Sequence, residues 1–142
     1  MKTEYVLGFA YWRNQVALIY KTKGPRNLRG HWNGIGGKVE EGETPSVAMS
    51  REYFEETGDT LNPEKWTYFG TISSEHYHMH LLCAMCDTHL DAPPHIENTE
   101  EGGEVVQWFK IKDLPNVVPN LRWIIPLSLD YTINFVEIKE RN

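Results

Sequence analysis

Apolar residues come in short clusters along this chain, each closed by turn-forming residues. EYVLGFAYW (4–12) and QVALIYK (15–21) read as two strands, and Arg13-Asn14 between them as a tight hairpin turn. A polar, basic connection with Gly and Pro punctuation follows over 22–31. Residues 32–39 (WNGIGGKV) give a short strand and a glycine turn, and 40–43 an acidic loop. Further strands are predicted at 66–73 (WTYFGTIS), 76–86 (HYHMHLLCAMC) and 105–111 (VVQWFKI), with a long loop over 87–103. Asp113-Leu114-Pro115 opens a turn, and 120–132 has a helical pattern with Pro126 in its middle, which predicts a kink or a boundary near Ile125.

One helix is marked at both ends. Thr44 is a capping residue, Pro45 suits the first helical position, and Gly58 is a left-handed stop after Thr57. Val47, Met49, Tyr53 and Phe54 offer apolar contacts, while the face with Ala48, Arg51, Glu52, Glu55 and Glu56 is charged. At about 100° per residue, Glu55 lies roughly 60° behind Glu52 and Glu56 roughly 40° ahead. Three carboxylates therefore crowd one narrow face, where each like-charge pair costs about 0.2–0.5 kcal/mol. A hard divalent cation removes that cost, because such ions take oxygen ligands and hold phosphates. Strands outnumber helices and lie on both sides of this helix in sequence, so the expected class is a mixed α+β domain with helices packed on a sheet.

The run Gly37-x5-Glu43-x7-Arg51-Glu52-Tyr53-Phe54-Glu55-Glu56-Thr57-Gly58 resembles the Nudix box, G-x5-E-x7-R-E-U-x-E-E-x-G-U, in which U is a bulky aliphatic residue. Gly37, Glu43, Arg51, Glu52, Glu55, Glu56 and Gly58 fill its fixed positions; Tyr53 and Asp59 stand at U positions. The resemblance implies an α/β/α sandwich with a mixed central β-sheet over one domain, 1–142. It implies a Mg2+-dependent hydrolase, with Mn2+ as a substitute. Glu52, Glu55 and Glu56 become the expected metal ligands, joined by a backbone carbonyl of Gly36 or Gly37, with Arg51 orienting a catalytic carboxylate and Glu43 as its structural partner. A further carboxylate is expected from downstream. Glu100, Glu101 and Glu104 are the candidates, and Glu104 is best held because it leads into a strand.

Composition narrows the partners. A net charge of −6 argues against a duplex nucleic-acid binder but not against a nucleotide, for which metal ions bring the positive charge. No apolar run reaches the ~20 residues needed to span a bilayer. The N-terminus does not read as a signal peptide, and a cytoplasmic location is expected. Cys83 and Cys86 on one strand would point to opposite faces, as ordinary reduced thiols. His76, His78 and His80 would share one face, and a zinc site lacks a fourth ligand at a recognisable spacing. Homodimer formation is left open.

The segment Gly30–Val39 resembles that of MutT-type nucleoside triphosphate hydrolases, which implies that Asn33 reads a base edge; an amide offers donor and acceptor together. Asn120 is a second amide candidate. It stands, with Leu121, where eukaryotic members of that group carry two acids, so an oxidised purine such as 8-oxo-dGTP is one candidate substrate among nucleoside triphosphates. Lys38 and Arg26 are candidates for the phosphates. Dinucleotides, nucleoside diphosphate sugars and dinucleoside polyphosphates are the alternative substrates, and a nucleotide-binding module without catalysis is the alternative of another kind.

Overall fold

The computed structural model describes residues 2–98 and 104–141. Among them, eight strands form one mixed sheet: β1 (Thr3–Trp12), β2 (Gln15–Tyr20), β3 (Trp32–Asn33), β4 (Ile35–Lys38), β5 (Thr67–Ser73), β6 (Tyr77–Met85), β7 (Val106–Lys110) and β8 (Val136–Lys139). Two α-helices, α1 (Pro45–Thr57) and α2 (Leu121–Leu129), pack on opposite faces. The strand order is β3-β2-β1-β6-β5-β8, with β4 paired to β1 and β7 to β2.

β1 is the spine. It runs parallel to β6 from Thr3↔Tyr77 to Tyr11↔Met85. Its other edge is shared. Tyr5 to Gly8 pair antiparallel with β4, and Tyr11 and Trp12 with β2 across the expected hairpin at Arg13 and Asn14. The two-residue period of a strand divides its side chains. Val6, Ala10 and Trp12 join the core under α1, and Leu7, Phe9 and Tyr11 join the core under α2. Cys86 and Cys83 fall on these two faces in the same way, both free, and burial pushes both thiols up to about 11.

α1 forms as its end signals predict. The Thr44 side chain accepts from the Val47 N–H at 3.3 Å, and Gly58 closes the helix at φ 74° with its N–H on the Phe54 carbonyl. Its buried residues are Ala48, Met49, Glu52, Tyr53 and Thr57, whereas Val47 and Phe54 are exposed. Ala48 and Glu52 thus belong to the sheet-facing side, not to a solvent face. Of the three acids, Glu52 is tucked against the sheet, Glu56 is half-buried and Glu55 is exposed.

Of the kink or boundary expected near Ile125, the boundary is not found, since α2 runs through Pro126 to Leu129. Proline removes only the bond to the Arg122 carbonyl, and Arg122 and Pro126 both lie on the exposed side. On the other side Leu121, Ile124 and Ile125 are fully buried, each contributing about 1.5–3 kcal/mol. That packing outweighs one lost hydrogen bond. β8 was not foreseen from the sequence; it pairs parallel with β5 at the sheet edge. No helix among the described residues is long and apolar enough to cross a membrane.

Candidate active site

β4 delivers the glycines and α1 the carboxylates. A Cβ on Gly36 would lie 1.9 Å from the Val6 carbonyl oxygen, and one on Gly37 would lie 2.3 Å from Glu52 Oε1. The bare backbone at Gly37 is therefore a seat for the Glu52 carboxylate. Gly37→Ala is expected to push Glu52 out of place and to lower activity by about 10²-fold, the usual cost of misplacing a reacting group by ~1 Å. Kinetics together with circular dichroism would check this. Wild-type kinetics in a folded variant would remove Gly37 from the site.

Arg51 organises the acids. Its Nε and Nη2 donate to Glu43 Oε2 and Oε1 at 2.8 and 2.9 Å, a forked pair. Nη1 donates to Glu52 Oε1 at 2.9 Å and reaches Glu55 at 3.4 and 3.5 Å. Nη2 also donates to the Lys38 carbonyl at 2.9 Å, which ties α1 to the end of β4. Glu40, in the acidic loop, is exposed, but its carboxylate lies 3.8 Å from Arg51 Nε and its N–H donates to Glu43.

The Arg51 guanidinium holds the Glu43 carboxyl below its ordinary value of 4.5; burial opposes this and the Glu40 N–H assists it. A group whose folded pKa is depressed contributes stability that is complete above its unfolded value and is lost as pH falls through the folded one. The difference in melting temperature between wild type and Glu43→Gln should thus be full at pH 7 and shrink only below about pH 4.5. A pH-independent difference would contradict this linkage.

Downstream, Glu104 reaches the same place. Its Oε1 accepts from Lys21 Nζ at 3.1 Å, and its Oε2 from the Thr22 and Lys23 N–H groups at 2.9 and 3.3 Å. Burial opposes its ionisation, but these donors outweigh it and lower its pKa. Glu56 behaves oppositely. Burial first, then the Glu104 carboxylate, raises its pKa against the pull of Lys21. Glu52 is also raised, by burial, with Arg51 pulling the other way and Glu55 and Glu56 adding to the rise. Glu55 remains half exposed. Glu100 and Glu101 lie outside the described residues.

Among the described residues no His, Cys, Asp or Glu side chains are already drawn into a closed metal cage. The donor set nonetheless fits a hard divalent cation. It is all oxygen, it sits beside a backbone with no Cβ at Gly37, and its anions repel one another at Glu56 and Glu104. Two of the three alternating histidines are engaged otherwise. His80 lies between Glu4 at 2.8 Å and Tyr68 at 2.5 Å, and His78 contacts Ser73 at 2.6 Å.

A cleft of about 460 Å³ opens on the α2 face of the sheet, lined by Leu7, Ile72 and Met79 among others, and both Asn33 and Asn120 border it. Asn33 Oδ1 accepts from the Gly34 N–H at 2.8 Å, which leaves its amide N–H groups as donors. From Asn33 to Gly37 the chain covers about 13 Å at strand rise, so one short segment links cleft and acidic helix. Leu121 is core, not cleft. Arg26 is exposed while its neighbours Pro25 and Asn27 line the cleft, and Lys38 is exposed, contributing its carbonyl to Arg51. A separate cavity of about 370 Å³ between β5, β6 and the 129–134 segment holds none of these residues.

Residues 5–127 match the NUDIX domain, so the chain belongs to the Nudix family. It is 33% identical over 107 residues to the oxidized purine nucleoside triphosphate hydrolase of Mus musculus, a match covering 70% of this chain and 64% of that protein. The match thus spans a little under two thirds of the mouse relative's length. Among solved structures, a NUDIX hydrolase from Nitrosomonas europaea superposes with a TM-score of 0.72 at 22% identity, covering 99% of this chain and 80% of that one. A bifunctional NMN adenylyltransferase/ADP ribose pyrophosphatase from Francisella tularensis, complexed with AMP and a Mn ion, gives 0.75 at 18% identity, covering 92% and 42%. At these identities the two structures bear on the fold alone.

Proposed function

We propose that this chain hydrolyses a phosphoanhydride bond of a nucleoside triphosphate, in a Mg2+-dependent reaction that Mn2+ also supports, to give a nucleoside monophosphate and pyrophosphate. The observation that carries this reading is the convergence on α1 of Glu52, Glu55 and Glu56 with the distant Glu104, ordered by one arginine and joined through β4 to a cleft with two amides. The name of the mouse relative supports a triphosphate, and places an oxidised purine among the bases to test.

The carboxylates of Glu52, Glu55, Glu56 and Glu104, with a carbonyl of Gly36 or Gly37, would hold the cation. A divalent ion bound there neutralises phosphate charge and lowers the pKa of water. The residues of the chain do the rest. Arg51 fixes Glu52 and limits Glu55. Glu104 stays anionic under its three donors. Glu56, which faces the Glu104 carboxylate, takes the water proton at a carboxylate oxygen. The water oxygen bonds to one phosphorus of the α–β bridge, the bridging P–O bond breaks, and its electron pair leaves with the departing phosphate. Asn33 and Asn120 hold the base.

The test is a panel of nucleotides with Mg2+, including 8-oxo-dGTP, with products identified by mass spectrometry. Monophosphate and pyrophosphate from a triphosphate are expected. Two monophosphates from a dinucleotide would shift the substrate to the alternative class. Tight binding with no product would make the chain a nucleotide-binding module.

A further inference from the structure

β8, the strand the sequence pattern left unmarked, brings one more charge to the cleft. The Glu140 N–H donates to the Ser73 carbonyl at 2.9 Å, so the residue just past β8 is fixed beside β5. Its side chain lines the cleft rim together with Tyr77 of β6. Tyr77 is itself braced by Tyr5, edge to face at 6.3 Å. Burial, then the adjoining Glu140 carboxylate, keeps the Tyr77 hydroxyl protonated and so a donor to that carboxylate. One phenol occupies a single acceptor site of a group that offers about four. Asn120 also lines the cleft, and its Oδ1 is buried with no hydrogen-bond partner among the described residues. A buried acceptor left unsatisfied costs free energy that a ligand donor recovers.

The polar groups of the cleft are therefore unbalanced. Among the described residues lining the cleft Glu140 is the only charged one and its carboxylate only accepts, whereas the amides of Asn27, Asn33 and Asn120 each carry donors as well as an acceptor. Ile72 and Met79 give it apolar wall. A planar base that suits this arrangement carries at least two N–H donors on one edge and one acceptor beside them. An exocyclic amino group next to a ring N–H meets that demand, as in a 2-aminopurine lactam. An unsubstituted lactam has the ring N–H but not the amino donors.

Resting on the reading of the chain as a nucleoside triphosphate hydrolase, we infer that Glu140 is a specificity-determining residue, its carboxylate accepting from the amino-bearing edge of the base. Tyr77 is a positioning residue that aims it.

The experiment compares dGTP with dITP, which differ only in the 2-amino group, for wild type, Glu140→Gln and Tyr77→Phe. Wild type should favour dGTP in kcat/KM. Glu140→Gln should lose at least about tenfold on dGTP, carried by KM, because a site built around a donor discriminates against its mismatch. Its dGTP-to-dITP ratio should fall at least about fivefold. Tyr77→Phe should move the ratio in the same direction by a smaller factor. An unchanged ratio in Glu140→Gln, or a wild type without preference, overturns the assignment while triphosphate cleavage still stands. If wild type cuts no triphosphate, the functional reading fails first. Calorimetric binding of dGMP and dIMP then still reads the edge, and equal affinities overturn Glu140 as well.

Discussion

Glu56→Gln is expected to lower kcat by about 10³-fold, within the 10²–10⁴ range of a lost acid–base group, while the fold stays intact. The reason lies in the pair that Glu56 makes with Glu104. Both are half-buried, and their charges repel. Glu104 is held anionic by Lys21 and two backbone N–H groups, and Glu56 is forced upward by burial and by that neighbour. A neutral amide of the same size removes the repulsion. The melting temperature without added metal should therefore hold or rise, even as turnover collapses. Single-turnover product formation and a thermal melt, run side by side, read both quantities. Near-normal turnover would remove Glu56 from the chemistry, and a large drop in melting temperature would make the residue structural.

Arg51→Ala should produce the largest change in stability. The guanidinium spans Glu43, Glu52, Glu55 and the Lys38 carbonyl, and its side chain is 23% exposed. An exposed ion pair is worth about 1 kcal/mol or less, and breaking one side of a buried pair costs about 3–5. This partly buried, multiply bonded arginine belongs between those limits, at about 2–3 kcal/mol. For a chain of this size that is a fall of roughly 5–12 °C in melting temperature. Activity should fall as well, since Glu52 and Glu55 lose the group that aims them. Arg51→Lys keeps the charge but not the fork, and should recover less than half of the loss. A variant Arg51→Ala that melts within about 1 °C of wild type would reduce the network to surface decoration.

The acidic helix was legible because its information is local. Thr44, Pro45 and Gly58 mark its ends, and the spacing of Arg51, Glu52, Glu55 and Glu56 alone crowds their charges. Glu104 could be singled out because it abuts a strand that holds it still. What the spacing could not give was direction. The spacing put Ala48 and Glu52 on a charged face without saying what that face meets, and the contact with Gly37 shows that Glu52 is turned inward. The helix does not end near Ile125, the boundary that Pro126 offered beside a kink, because local backbone chemistry lost to three buried side chains in the same helix.

β8 has only Val136 and Ile138 as apolar residues, and it is a strand because β5 offers it an edge. Strand propensity is context-dependent in this way. The cleft was the least legible part. Tyr5, Asn33, Tyr77, Asn120 and Glu140 come from five separate stretches of chain and meet only when the sheet assembles. Asn33 and Asn120 were accessible to sequence reasoning, whereas Glu140 carried no pattern of its own.

Titration of the protein with Mn2+, followed by the electron paramagnetic resonance signal of the free ion, tests the central claim most directly. In wild type the free signal should be suppressed as the ion is taken up, with Mg2+ competing and restoring it. Glu56→Gln should weaken uptake at least about tenfold, since a charged oxygen ligand is replaced by a neutral one. A free-ion signal that tracks buffer alone, or uptake identical in the two proteins, would contradict a divalent cation held on this face of the helix.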